Sequence, residues 1–194
     1  MDMEELWSKT REVLRAEVNA VVYNSLLGSN NLVPALLDGD TLVLRVVMDN
    51  LKLLITNQWY STIVRALSQV AGHQMDVEIL TQEEIEAACR MASVHEFILS
   101  LPDGYKTRVG ALGDNLSAGE KQRIGLARAF LRGSEWILLD EPTSNVDSIN
   151  EGIILKALQA QKGKKSILLV SHRESTMAIA DRIYRVKDGR MSEI

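Results

Sequence analysis

Residues 116–141 read LSAGEKQRIGLARAFLRGSEWILLDE, and the fold of the chain turns on how this stretch is read. Leu116, Ser117, Ala118, Gly119 and Glu120 place a hydroxyl and two small residues just ahead of a helical run of Arg, Ala, Leu and Ile, predicted from Lys121 to Leu131. A helix start of this kind offers free backbone N–H groups and a positive dipole end, with room for a phosphate to approach. Trp136 to Leu139 is a short apolar run that predicts a buried strand, and it delivers two adjacent carboxylates, Asp140 and Glu141. Pro142 stops its continuation. A strand ending in paired acids suits a magnesium–nucleotide site, where one acid holds the metal and the other polarises a water.

Further along, the chain predicts a helix over 149–161, a buried strand over 166–170 ending in Ser171-His172, a helix over 174–180 and a strand over 182–186. Asp188-Gly189 turns that strand towards residues 191–194. Strands alternating with helices imply a parallel sheet. On these residues the chain resembles the nucleotide-binding domain of ABC transporters. LSAGE is similar to the family signature LSGGQ, and ILLDEP to its Walker B strand with the catalytic glutamate. Ser144-Asn145-Val146-Asp147 stands where the family has its D-loop, and Ser171-His172-Arg173 where it has the switch histidine. A helix is predicted from Thr81 to Ser100, opening on a capping box with Thr81 at the N-cap and Glu84 three residues on; residues 81–105 resemble the family's helical subdomain, and 107–113 the loop that meets the transmembrane partner in exporters. The resemblance covers roughly 81–194. Ala118 departs from a glycine and Glu120 from a glutamine, and an acid close to a triphosphate weakens binding unless Lys121 or another cation offsets it.

The resemblance implies roles residue by residue. Asp140 holds Mg²⁺ through water, Glu141 acts as general base or orients the water, and His172 contacts the γ-phosphate. Ser117 and Gly119, with Leu116, Ala118 and Glu120 around them, bind the γ-phosphate of an ATP seated on an opposite subunit. A phosphate-cradling loop needs Gly-x-x-x-x-Gly-Lys-Ser/Thr between a strand and a helix. No such string occurs in the 194 residues. Gly163-Lys164-Lys165-Ser166 is the nearest fragment and reads as a turn between helix and strand. The glutamine loop and the aromatic nucleotide-stacking loop are also missing. The expected fold is therefore a truncated α/β P-loop-type ABC ATPase half without its Walker A strand. That strand belongs between the one leading to His172 and the one at 182–186, so its loss predicts closure of the two neighbours, a strand supplied by a partner chain, or a marginal, aggregating protein.

Ahead of this half, residues 1–80 carry 6 basic and 10 acidic side chains, whereas 81–194 carry 16 of each. The step in charge marks a two-part chain, 1–80 and 81–194, joined with no Gly/Ser/Pro linker. Apolar residues at helical spacing between Glu5 and Leu27 predict one long or two short helices, ended by residues 28–31. Runs at 32–37 and 41–47 around Asp38-Gly39-Asp40 predict a hairpin, since Asp-Gly supplies the positive φ of a tight turn. A third helix is predicted over 49–71, capped by Gly72, and a strand over 75–80. Leu6-Trp7, Leu37 to Leu42, Trp59-Tyr60 and Val77 to Leu80 resemble the N-terminal domain of the replication initiator DnaA, which implies a KH-like α+β module with helices on a small sheet that recruits protein partners. The family's Phe-Trp pair near the end of the second helix is replaced here by Tyr23 and Leu26.

A net charge of −4 gives no global signal for avid nucleic-acid or membrane binding. Cys89 is the single cysteine, so no internal disulfide forms and a reducing cytoplasm is the expected setting. The acidic start MDMEELW is not a signal peptide, and no apolar run approaches the roughly 18 residues of a membrane helix. The expected partners are a second nucleotide-binding domain, a separate transmembrane subunit that holds the protein at the inner face of the membrane, and a protein bound by residues 1–80. Two alternatives accompany this reading: an interaction module built on residues 1–80, and a fusion or fragment with no function.

Overall fold

The computed structural model describes residues 1–28, 31–107, 109, 115–132 and 134–193, which fall into two compact units, Met1–Ile85 and Glu86–Ile194. Most of the exporter-type loop expected over 107–113 and part of the helix stop at 28–31 lie outside the described residues.

In the first unit, α1 (Met3–Glu17) begins at Asp2, whose carboxylate accepts the Glu5 backbone N–H at 2.8 Å. Its inner face buries Leu6, Trp7, Thr10 and Leu14; the Thr10 hydroxyl donates to the Leu6 carbonyl, while the Trp7 indole N–H is buried without a partner. The short α2 (Ala20–Val22) runs into a π-helical turn, Tyr23–Leu27, closed by the Gly28 N–H on the Tyr23 carbonyl. The expected hairpin is β1 (Leu32–Asp38) and β2 (Thr41–Val46), antiparallel across Gly39 at φ +56°. The register slips between Pro34 and Leu36, as the missing proline N–H favours. A 3₁₀ turn, Asp49–Leu51, opens α3 (Lys52–Ala71), and Gly72 ends it in the left-handed conformation with its N–H on the Ser68 carbonyl. β3 (Asp76–Leu80) then pairs in parallel with β2. The sheet order is β1-β2-β3, and the central strand buries Leu42, Leu44 and Val46 completely against Trp7, Leu14, Ile55, Ile63 and Leu67.

The helix expected from Thr81 to Ser100 is two helices, α4 (Gln82–Met91) and α5 (His95–Ser100), broken where Ser93 adopts φ +56°. The capping box read at Thr81 and Glu84 is formed: the Glu84 carboxylate accepts the Thr81 N–H at 2.9 Å, and the Thr81 hydroxyl accepts the Glu84 N–H at 3.1 Å.

The second unit continues with a 3₁₀ turn, Gly104–Lys106, held to α5 by a 2.8 Å hydrogen bond between Tyr105 Oη and His95 Nδ1. Next come α6 (Ala118–Leu131), β4 (Trp136–Asp140), α7 (Ser148–Gln159), β5 (Ser166–Val170), α8 (Glu174–Met177), β6 (Tyr184–Lys187) and β7 (Arg190–Glu193). β4 and β5 are parallel, as the alternation of elements predicts, with Ile137 opposite Ile167 and Asp140 opposite Val170. β6 and β7 form a separate antiparallel hairpin. The neighbours of the expected missing strand therefore do not close up: among the described residues β5 pairs only with β4, and β6 only with β7.

Parallel partners point to one side, and on one side of β4–β5 Trp136, Leu138, Leu168 and Val170 are all exposed, Trp136 by 71%. Ile137, on the other side, is buried.

Candidate functional site

α6 starts at Ser117, whose extended backbone and side chain make it the N-cap. Its hydroxyl accepts the Glu120 N–H at 3.3 Å, while the Glu120 carboxylate reaches back to the Ser117 N–H at 2.7 Å. Glu120 thus closes a capping box, with its charge at the positive end of the helix. The Ser-x-x-Glu pattern that carries it is the pattern legible at Thr81, and reading Glu120 only as a misplaced anion overlooks it. Ser117 and Ala118 are exposed, Leu116 and Glu120 half-buried, and Gly119 buried. A Cβ on Gly119 would stand 2.6 Å from Asn150 Oδ1 and 2.8 Å from Asn150 Nδ2, so this glycine is required by packing inside the chain.

The carboxylates arrive as the strand predicts. Asp140 ends β4 and is exposed. Glu141 turns into the left-handed region at φ +47°, a conformation that strains a non-glycine residue, while its N–H remains bonded to the Val170 carbonyl at 2.9 Å. That turn directs its side chain across to the end of β5, where Glu141 Oε1 meets His172 Nδ1 at 2.7 Å. Glu141 Oε2 is buried and has no partner, whereas the imidazole is largely exposed. An acid and a histidine from two parallel strands meet at their carboxyl ends, the usual place for ligands in open α/β sheets.

Past the buried Pro142 and Thr143, Ser144 N–H bonds to the Glu141 carbonyl at 3.0 Å, and Asn145 lies at φ +58°. Val146 is half-buried, and Asp147 is the N-cap of α7. The Asp147 carboxylate accepts the backbone N–H groups of Asn150 at 2.9 Å and Ile149 at 3.0 Å, and the Asn150 carboxamide at 2.6 Å. Those bonds, the Asn150 N–H first, hold its carboxyl below the ordinary aspartate value of 3.8.

The structure therefore brings Glu141 and His172 together and leaves Asp140 open beside them, with the Ser117 turn on a separate helix start. Sequence reading missed the residues between these places. Arg123, buried on α6, donates to Asn150 Oδ1. Arg173, next to His172, donates to Glu151 at 2.7 Å, and the Ser175 hydroxyl donates to the same carboxylate. Asn150 and Glu151 fall on the first turn of α7, and the spacing Asp147-x-x-Asn150 was the available signal.

Comparison with known proteins matches residues 38–144, more than half of the chain and parts of both units, to the family model described as ABC transporter. A probable ABC transporter ATP-binding/permease protein of Haemophilus influenzae is 62% identical over 112 residues, which are 58% of this chain and 20% of that protein. A sophorolipid transporter of Starmerella bombicola is 49% identical over 114 residues, 59% of this chain and 9% of that protein. Among solved structures, a bacterial Atm1-family ABC exporter with ATP bound superposes with a TM-score of 0.53 at 38% identity, over 58% of this chain and 20% of the exporter chain. The chain spans a fifth or less of the length of these relatives.

Proposed function

The chain belongs to the ABC transporter family, and from that membership we propose that it is a partial ATP-binding subunit that completes a nucleotide site with a partner cassette. The observation that carries this reading is the Glu141–His172 pair at the ends of β4 and β5, 2.7 Å apart, with Asp140 exposed beside it.

The residues present fit a magnesium–phosphate group in part. Glu141 Oε2 is a buried carboxylate oxygen without a partner, and Asp140, the residue before it, is exposed. No cluster of three or more His, Cys, Asp or Glu side chains able to hold a metal stands among the described residues. Phosphate and water oxygens would therefore complete the coordination, with Asp140 holding Mg²⁺ through water. A bound Mg²⁺ supplies charge neutralisation at the phosphates. Glu141 accepts a proton from, or orients, the attacking water, and His172, fixed through Nδ1, presents its other face to the γ-phosphate. Ser117 and Gly119 address the phosphate of an ATP held by the partner. With no Gly-x-x-x-x-Gly-Lys-Ser/Thr string of its own, the chain takes the phosphate cradle from that partner and neither binds nor hydrolyses ATP alone. The exposed Trp136, Leu138, Leu168 and Val170 support this reading, because parallel strands are normally covered on both faces.

No helix among the described residues is long and apolar enough to cross a membrane, and we place the protein in the cytoplasm, carried to the membrane by a separate transmembrane subunit. The test is titration of the chain with a fluorescent ATP analogue and Mg²⁺, alone and mixed with an intact cassette whose own Ser of the signature is disabled. Turnover in the mixture beyond that of either chain alone, lost with Ser117→Arg while the cassette still binds the analogue, is the expected result. Equal turnover with Ser117→Arg would sink the proposal.

A second reading makes residues 1–80 a protein-interaction module, with 81–194 as the separate cassette part. A 15-residue helix, a short helical segment, a hairpin, a long helix and a strand parallel to β2 support the likeness to the initiator's N-terminal domain. None of the relatives named above is an initiator, so it stands on element order and on the exposed Val47, Met48 and Leu53 near the start of α3. Binding of a replicative helicase by residues 1–80 alone is the result that would favour it.

A further inference from the structure

We infer that Asn150 and Glu151 are positioning residues that tie the Ser117 turn and the His172 segment to one helical turn. The inference deepens the reading of these segments as parts of one nucleotide site and rests on it only for its consequence for binding.

The geometry begins at Asp147. Its Oδ2 accepts from Asn150 Nδ2 at 2.6 Å, which fixes the carboxamide so that Oδ1 faces away. Arg123 can only donate, and it donates to that oxygen. Arg123 is buried, so the bond is held in a setting where its loss leaves a cation without a partner. The same carboxamide occupies the space a side chain at residue 119 would need. Asn150 thus grips α6 twice: at Arg123 by a charged hydrogen bond, and at Gly119 by shape.

Glu151, the next residue, takes the other segment. Its Oε2 accepts from Arg173 at 2.7 Å and its Oε1 from the Ser175 hydroxyl, bracketing the loop that carries His172 into α8. Both partners of the ion pair are partly buried, with Glu151 15% exposed. Neighbouring residues on a helix point about 100° apart, so one turn reaches both segments without either contact disturbing the other. A shift of α6 at one end is thereby passed to the His172–Glu141 pair through a rigid turn rather than through the sheet.

The test is a swap of volume. Gly119→Ala in the full chain lowers the melting midpoint, by about 4 °C or more, because the new methyl collides with the carboxamide. In an Asn150→Ala background the same change raises the midpoint, since the space is open and alanine is the better helix former. Additive effects of the two substitutions would overturn the contact at Gly119. A nitrogen-15 spectrum of the imidazoles supplies a readout that stability alone does not move. Glu151→Ala shifts the His172 nitrogens although Glu151 does not touch His172, and Glu151→Gln restores part of the shift; unmoved His172 signals in a folded Glu151→Ala chain would overturn the inference. Absence of added turnover in the wild-type mixture would defeat the proposed function while leaving these two results to stand or fall by themselves.

Discussion

Glu84 shows how one side chain carries several jobs and how pH separates them. Partial burial pushes its carboxyl upward, but the Lys52 ammonium at 2.6 Å and the Thr81 N–H outweigh that and hold it below the ordinary value of 4.5. A carboxyl whose folded value lies below its unfolded one stabilises the fold above about 4.5, and the contribution disappears as pH falls through the lower folded value. Glu84→Gln should therefore flatten the acid limb of a stability–pH curve by less than about 1 kcal/mol, since both groups are partly exposed. An unchanged acid limb would remove Glu84 from the account. At this scale the sequence was legible where a local pattern encodes a local bond, as at Thr81-x-x-Glu84, Gly39 and Gly72. It was opaque where the bond spans distant segments. Nothing near Arg123 announces Asn150, and nothing near Glu141 announces that a left-handed turn will place it on His172.

Elements were read more fully than contacts. β5 falls on the residues expected, and the boundaries of β1, β2, α3 and α7 differ by a few residues, because apolar periodicity between turn-forming residues sets them. The errors have physical causes. α4 and α5 looked like one helix since the break at Ser93 needs a positive φ that serine does not advertise. Helix α8 stops at Met177 rather than Ala180, and β6 starts at Tyr184 rather than Arg182. The expectation that β4 and β5 form a buried parallel sheet was half right: the pairing holds, and one face is uncovered. Leu138 and Leu168 are direct cross-strand partners on that face. Replacing them together, Leu138→Glu with Leu168→Lys, places opposite charges side by side on a solvated surface. The double variant should be as stable as wild type within about 1 kcal/mol and far less prone to precipitate. A large loss of stability would mean that the face is covered within the chain.

The whole molecule has two units of unequal finish. Met1–Ile85 closes a core around Trp7, Leu14, Leu42, Leu44, Ile63 and Leu67, each nearly or fully buried. In Glu86–Ile194, apolar residues of β4, β5, β6 and β7 stand in solvent, among them Val186 and Met191. We expect urea unfolding in two steps, the Glu86–Ile194 unit first, with Trp136 reporting the early step and Trp7 the late one. Single-tryptophan variants followed by fluorescence separate the two, and coincident curves would argue for one cooperative domain. The acidic balance of residues 1–80 points to a two-part chain, whereas the match to the ABC transporter family model runs over residues 38–144 and so begins within the first unit. The open flank of β4 and β5 also bears on the lifetime of the protein in a cell. Chaperones and proteases triage chains by the apolar segments they show, and Trp136, Leu138, Leu168 and Val170 are on show whenever nothing lies over them. Abundance would then follow occupancy: a copy whose flank is covered persists, and a surplus copy is cleared, so that the supply of whatever covers the flank sets the amount of this protein without any change in its synthesis.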